Sequence, residues 1–235
     1  PLEPTPDSEE FAIFDPPSNQ TLGGKTWNEL EGWADDAKYY KDMVEYHDKT
    51  IGRIVEKLDQ LNIREETLII YLGDNGSPIE VSSYMGDQEI PGGKGKTIDT
   101  GTHVPLICNW KNNIPESIVS TDLVDSTDFL PTIFDAAALQ YPENYIVDGK
   151  SFYPQLTGEK GNPRDWIFFH FDAGGRNKKP IQRFLRNHLW KLYEDGRMFD
   201  MKNDLYETNP IFSEDDSKES KENRIKLEPL FLNLK

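Results

Sequence analysis

Two short stretches of this sequence hold the residue types that chemistry needs. In YLGDNG, Asp74 and Asn75 set a carboxylate beside an amide oxygen, between glycines. Both are hard oxygen donors of the kind that Ca²⁺ or Mg²⁺ takes. The same letters also spell a turn, because Asn-Gly between strands is a strong hairpin signal. The segment that follows, SPIEVSSYMGDQEIPGG, lacks the alternation of a returning strand, so both readings stay open on these residues alone. In GGKGKTIDTGTHVP, Lys94 sits between Gly93 and Gly95, and nothing bulky screens its ammonium from an oxyanion. Asp99 and His103 follow closely enough to position it. The letters GKT do not make a P-loop: that motif needs glycine where Ile90 stands, and it follows a strand and opens a helix. This loop instead precedes the apolar run VPLI. A plain surface loop accounts for the glycines but not for that run.

The elements that must carry these residues follow an α/β pattern. From Ala34 to Asn62 the residues Tyr40, Met43, Val44, His47, Ile51, Ile54, Val55, Leu58 and Leu61 fall on one helical stripe, with charges opposite. Then comes TLIIYL, a short continuous apolar run, which predicts a strand buried on both faces as in a parallel sheet. Asp74 and Asn75 would then lie at its carboxyl end, where α/β proteins place ligands. VPLICNW is a second such strand, and Ser126 to Leu139 is a helix capped by Ser126 or Thr127, with Pro131 near its first turn. After Gly149 the character changes. DWIFFHFDA and QRFLRNHLWKLYEDGRMFDM read as antiparallel strands, with Glu194-Asp195-Gly196 turning the last hairpin. IKLEPLFLNL closes the chain as a docking helix. Residues 1–24, rich in Pro, Asp and Ser, read as an extended entry segment.

Composition narrows the partners. The chain has 235 residues and a net charge of −16, which excludes nucleic acid as the main partner, since phosphate binding needs a basic footprint. One stretch, RNKKPIQRFLRNHLWK from Arg176 to Lys191, runs against the trend, with six Lys or Arg and no Asp or Glu. It reads either as a solvated hairpin face or as a contact for an anionic substrate through Arg183 and Arg186. The apolar fraction, 36%, is low for a self-contained domain and leaves room for core residues contributed by other sequence. Cys108, the only cysteine, sits in an apolar run and reads as a small core residue. No apolar run reaches membrane-spanning length, and PLEPTPDSEE shows no signal-peptide pattern.

Taken together and in order, GDNG, GGKGKTIDTGTHVPLI, STDFLPTIFDAAAL and DGKSFYPQLTG resemble the second half of a sulfatase of the alkaline-phosphatase superfamily. PTPDS followed by YYKDMVEYHDKTIGRIVEKL resembles the helix that leads into the metal strand of that family. The resemblance implies an alkaline-phosphatase-like sandwich, with residues 1–148 as the C-terminal part of the catalytic α/β domain. Residues 149–235 would form a small antiparallel sheet plus a C-terminal helix. It implies that Asp74 and Asn75 are two of four side chains on a Ca²⁺ ion and that Lys94 grips the sulfate ester. His103 stands where many members carry arginine in G-x-R-V-P, and Asp99 where glutamate is common. The C/S-x-P/A-x-R motif, whose first residue becomes the formylglycine nucleophile, is not in this sequence, nor are the upstream Asp pair and the H-x-P histidine. The expectation is therefore a C-terminal portion of a longer enzyme, inactive alone.

The expected activity of the whole enzyme is hydrolysis of sulfate esters. The basic stretch with Trp166, Phe171 and Trp190 points to a sulfated small molecule or polysaccharide, with cations and aromatic faces meeting an anionic sugar. The family implies a periplasmic or extracellular location. Two other readings compete: a phosphoryl or phosphonate ester hydrolase of the same superfamily, and a non-catalytic polyanion-binding protein using Arg183 and Arg186.

Overall fold

The computed structural model describes residues 2, 5–8, 37–174 and 180–234. Most of the expected entry segment, the first residues of the expected helix at Ala34, and Arg176, Lys178 and Lys179 of the basic stretch lie outside the described residues. The chain forms two units, Pro1–Thr67 with Pro78–Pro91, and Leu68–Ser77 with Gly92–Lys235.

In the first unit the helical stripe becomes α1, Tyr40–Gln60, entered through a 3-10 turn at Ala37–Tyr39. A turn at residues 5–8 is tied to it by Ser8 Oγ donating to Asp42 (2.9 Å) and by the Lys49–Asp7 ion pair (2.7 Å). The stripe is half-buried at Met43, Ile51, Val55 and Leu58, while Val44, Ile54 and Leu61 face outward. A hairpin of β2, Ser82–Met85, and β3, Gln88–Pro91, completes this unit. SPIEVSSYMGDQEIPGG does not return along Ile69–Leu72, in keeping with its lack of alternation; it folds back on itself, so Asn75-Gly76 is not a hairpin turn. The physical reason for that lack is exposure: nearly every residue of the pair faces solvent, so no alternation was imposed on the sequence. The signal of the hairpin is the two-residue turn Gly86-Asp87, with Gly86 at φ +62°.

In the second unit TLIIYL forms β1, Ile69–Leu72, and VPLICNW forms β4, Leu106–Asn109. They pair antiparallel, Ile69 opposite Asn109 and Leu72 opposite Leu106, which corrects the parallel expectation. Parallel neighbours need a crossover of a dozen or more residues, usually a helix. The only helix in this connection is the one-turn α2, Asp99–Thr102, so the chain simply doubles back. Neither strand is buried on both faces, and Ile107 is 59% exposed. The segment from Ser126 gives a 3-10 turn, Ser126–Asp128, running into α3, Phe129–Ala136. Its cap is Asp125 rather than Ser126 or Thr127. The Asp125 carboxylate accepts from Thr127 N, and Asp128 reciprocates on Asp125 N at 2.8 Å. Asp128 is buried with Arg164, which donates Nε to it at 2.6 Å. A single turn, α4, Tyr153–Leu156, packs near α3.

The expected C-terminal strands form one meander: β5 Ile167–Phe171, β6 Gln182–Arg186, β7 Trp190–Tyr193 and β8 Met198–Asp200. Glu194-Asp195-Gly196 turns its last hairpin, with Tyr193 N donating to Arg197 O at 2.8 Å. Alternation along the strands sends Leu185, Trp190, Leu192 and Met198 into one core and Phe184, Tyr193 and Phe199 into another. The first core is covered by α5, Lys218–Leu227, and the 3-10 turn Glu228–Asn233, through Leu227, Leu230, Phe231 and Leu234. This docking element starts earlier than IKLEPLFLNL predicts, because Ser217 caps it by accepting from Ser220 N.

Candidate active site

Three backbone hydrogen bonds lace the two chemical stretches together. Gly73 N donates to Pro105 O, Gly76 N to Gly101 O and Lys94 N to Ser77 O, each at 3.0 Å. The approach is close enough that only glycine fits. A Cβ on Gly76 would fall within the Thr100 carbonyl, and one on Gly93 within the Thr100 and Gly101 backbone. The glycines thus serve backbone contact as well as access to Lys94.

At the end of β1 the Asn75 amide nitrogen donates to Asp74 Oδ1 (3.1 Å) and to Gly76 O (3.2 Å). Its nitrogen being engaged, the Asn75 carbonyl oxygen is left beside the Asp74 carboxylate as a hard donor. That pair fits part of a Ca²⁺ shell, which takes six to eight oxygens. Among the described residues no three His, Cys, Asp or Glu side chains gather into a metal cluster. Lys94 is exposed, and among the described residues its ammonium has no ion-pair partner. His103 is also exposed, 73% at its side chain, with its backbone N donating to Asp99 O (2.8 Å) and its Nδ1 3.9 Å from Asp99 Oδ2. Asp99 itself is buried.

The structure parts the two arginines. They stand three apart on β6, so the strand sends them to opposite faces. Arg186 turns to the lysine loop and donates Nη2 to Asp99 Oδ2 at 2.8 Å. Arg183 pairs with Glu194 (3.2 Å) and donates Nε to His170 Nδ1 (3.3 Å). It lines a cavity of about 440 Å³ with Gln182, Tyr193, Glu194 and Arg197. The aromatics expected at a sugar fare differently: Trp190 is buried in the core and Trp166 packs against it. Alternation within the LWKLY run makes Trp190 a core residue first. Cys108 is half-buried, and burial pushes its thiol up to about 11, which leaves it inert at neutral pH.

Reading the sequence missed Thr97, Gln182, Lys191, Tyr193 and Glu207, which meet beneath the lysine loop. Thr97 Oγ1 donates to Gln182 Oε1 (2.7 Å), and the Tyr193 hydroxyl bridges Thr97 Oγ1 (2.8 Å) and Glu207 Oε2 (2.6 Å). The signal was a lysine at an inward position between Trp190 and Leu192.

Comparison with known proteins decides the family. The Sulfatase family model matches residues 2–139, more than half of the chain. The chain belongs to the sulfatase family. A second model, N-sulphoglucosamine sulphohydrolase, C-terminal, matches residues 94–229 of this sulfatase chain. It is 32% identical over 134 residues to an arylsulfatase of Hemicentrotus pulcherrimus, covering 57% of the chain and 24% of the relative. It is 29% identical over 214 residues to a sulfatase of Formosa agariphila, covering 80% and 38%. The sulfatase chain thus spans about a quarter to two fifths of the length of these relatives. A protein solved in complex with its substrate D-glucosamine-2-N,6-O-disulfate superposes with a TM-score of 0.65 at 21% identity, over 79% of this chain and 38% of that one. The fold is the alkaline-phosphatase-like α/β fold of sulfatases, with a small antiparallel sheet in its C-terminal part. No helix among the described residues is long and apolar enough to cross a membrane.

Proposed function

We propose that this chain supplies the sulfate-holding and half of the calcium-holding residues of a sulfuric ester hydrolase that acts on a sulfated carbohydrate. The observation that carries this reading is Lys94: an exposed ammonium on a glycine loop whose backbone is bonded to the Asp74–Asn75 stretch. A sulfate ester carries charge on its non-bridging oxygens, and more gathers on the leaving oxygen as the S–O bond breaks. Lys94 offsets the first by direct contact. His103, when protonated, donates to a sulfate oxygen, and that contribution fades as pH rises. Asp74 and Asn75 would hold Ca²⁺, which supplies Lewis-acid neutralisation of charge at sulfate when bound. The formylglycine nucleophile is expected on other sequence, because no C/S-x-P/A-x-R motif is present here.

A sulfated sugar is supported by the match to the N-sulphoglucosamine sulphohydrolase model and by the sugar bound to the structural relative. Within the chain, Arg183 at its cavity is the cation that could meet an outlying anionic group of such a substrate. Arg186 acts from beneath, through Asp99. A periplasmic or extracellular location belongs to the same proposal.

The test is product analysis with the active enzyme that carries this sequence. Inorganic sulfate is measured from D-glucosamine-2-N,6-O-disulfate, from an aryl sulfate and, in parallel, phosphate from a phosphate monoester. Sulfate release, faster from the sugar, is the expected result. Phosphate release without sulfate release would move the chain to the phosphoryl hydrolases.

A further inference from the structure

One face of the C-terminal sheet is built as a clamp on the lysine loop. Gln182, Phe184 and Arg186 share a face of β6, and Lys191 and Tyr193 share the corresponding face of β7. Four of these five side chains reach the loop. Gln182 and Tyr193 hold the Thr97 hydroxyl, Arg186 holds Asp99, and Lys191 Nζ donates to the Thr97 backbone carbonyl. The fifth, Phe184, lies under the Lys191 ammonium, whose nitrogen is 3.8 Å from its ring centroid.

Lys191 is the unusual member. Its side chain is 0% exposed, in a sheet core otherwise made of Phe, Tyr, Leu and Met. Burying an ammonium is costly unless it is paired and hydrogen-bonded. Glu207 pairs with it at 2.6 Å, and the same carboxylate reaches the Tyr193 hydroxyl. Burial holds Lys191 below the ordinary lysine range, with Glu207 working against that shift. A methionine would fill this core position at less cost, as buried ion pairs are often matched or bettered by apolar residues of similar volume. What a methionine cannot do is donate to the Thr97 carbonyl, three residues after Lys94.

We infer that Lys191, with Tyr193 and Glu207, is a positioning residue for Lys94, fixing the lysine loop from the C-terminal sheet so that the ammonium meets sulfate in one geometry. This rests on the reading of Lys94 as the sulfate-holding residue. The clamp spans sequence separations of more than ninety residues, from Thr97 to Lys191 and Tyr193, and so makes the sheet part of the active site rather than an appendage. Loop geometry matters at this level because a misplacement of about 1 Å can cost about a hundredfold in rate.

The experiment is a double-mutant cycle in the active enzyme that carries this sequence, with sulfate release as readout. Lys94→Ala, Lys191→Met, Tyr193→Phe and the two combinations with Lys94→Ala are assayed for kcat, KM and melting temperature. Expected is a loss of kcat of about tenfold or more for Lys191→Met, and a smaller loss for Tyr193→Phe, each larger than any change in KM. Both losses should vanish when Lys94 is already alanine, while the change in melting temperature persists in both backgrounds. A role in stability alone would not produce that coupling to Lys94. Lys191→Arg, which keeps a donor, should recover part of the rate. Losses that multiply independently of Lys94, or full activity in Lys191→Met and Tyr193→Phe, would overturn the inference. If Lys191→Met does not fold, Tyr193→Phe carries the same cycle alone. If Lys94→Ala alone leaves turnover unchanged, it is the reading of Lys94 that has failed.

Discussion

Gly76 and Gly93 leave no room for even one methyl group. At Gly76 an added Cβ would overlap the Thr100 carbonyl, and backbone cannot swing away as a side chain can. Gly76→Ala is therefore expected to lower stability by about 1–3 kcal/mol, the usual range for overpacking. Turnover should fall with it, because the loop carrying Lys94 must shift. Thermal melting and kcat checked together test this, and an unchanged melting temperature would contradict the close approach. At this scale Asp74, Asn75, Lys94 and His103 were legible as candidates because carboxylate, amide, ammonium and imidazole among glycines are rare company. The buried partners were not. Thr97 looks like any loop threonine, and Glu207 sits in a polar turn whose contact to Lys191 depends on tertiary structure alone.

Elements show which signals survive folding and which do not. Apolar runs and alternation placed α1, α3 and all four C-terminal strands, since both patterns record burial directly. Strand direction was lost: TLIIYL and VPLICNW look like doubly buried strands, yet they pair antiparallel and stay partly open. Hydrophobic content says how much a strand buries, whereas direction is set by the route of the intervening chain. The exposed hairpin β2–β3 was lost for the reverse reason, having nothing to bury. The entry to α3 rests on one buried carboxylate. Asp128 is buried, receives Arg164, and also accepts from the backbone N of Asp125 and Lys150 (2.8 and 2.6 Å). Removing it leaves Arg164 only Thr127 Oγ1 and the Asp148 carbonyl, and strands two backbone donors. Asp128→Ala should cost about 3–5 kcal/mol of unfolding free energy, as for other broken buried pairs. Chemical denaturation measures this directly, and a loss below about 1 kcal/mol would show that the pair contributes little.

The whole molecule is strongly acidic, and its pH response reflects which carboxylates are held in pairs. Hydrogen bonds from Arg224 keep Asp216 below the usual carboxylate range. The folded chain therefore binds this proton less readily than the unfolded chain. Stability from the pair is present above the unfolded value, about 3.9, and is lost as pH falls through the lower folded value. Melting temperature should drop across that acid window, and the drop should be shallower in Asp216→Asn, which has no such proton to take up. Equal slopes for the two proteins would refute the linkage. Because α5 docks through Arg224 as well as Leu227, this acid sensitivity belongs to the C-terminal sheet and its covering helix. The same sheet holds the lysine loop on its other face, which joins fold stability to the chemistry proposed for Lys94. The most direct test of that chemistry is kcat for sulfate release by the active enzyme carrying Lys94→Ala. A fall of at least about tenfold is expected, since removing one donor to a developing oxyanion costs about 2.7–4 kcal/mol of barrier; turnover equal to the unsubstituted enzyme would rule out Lys94 as the sulfate-holding residue.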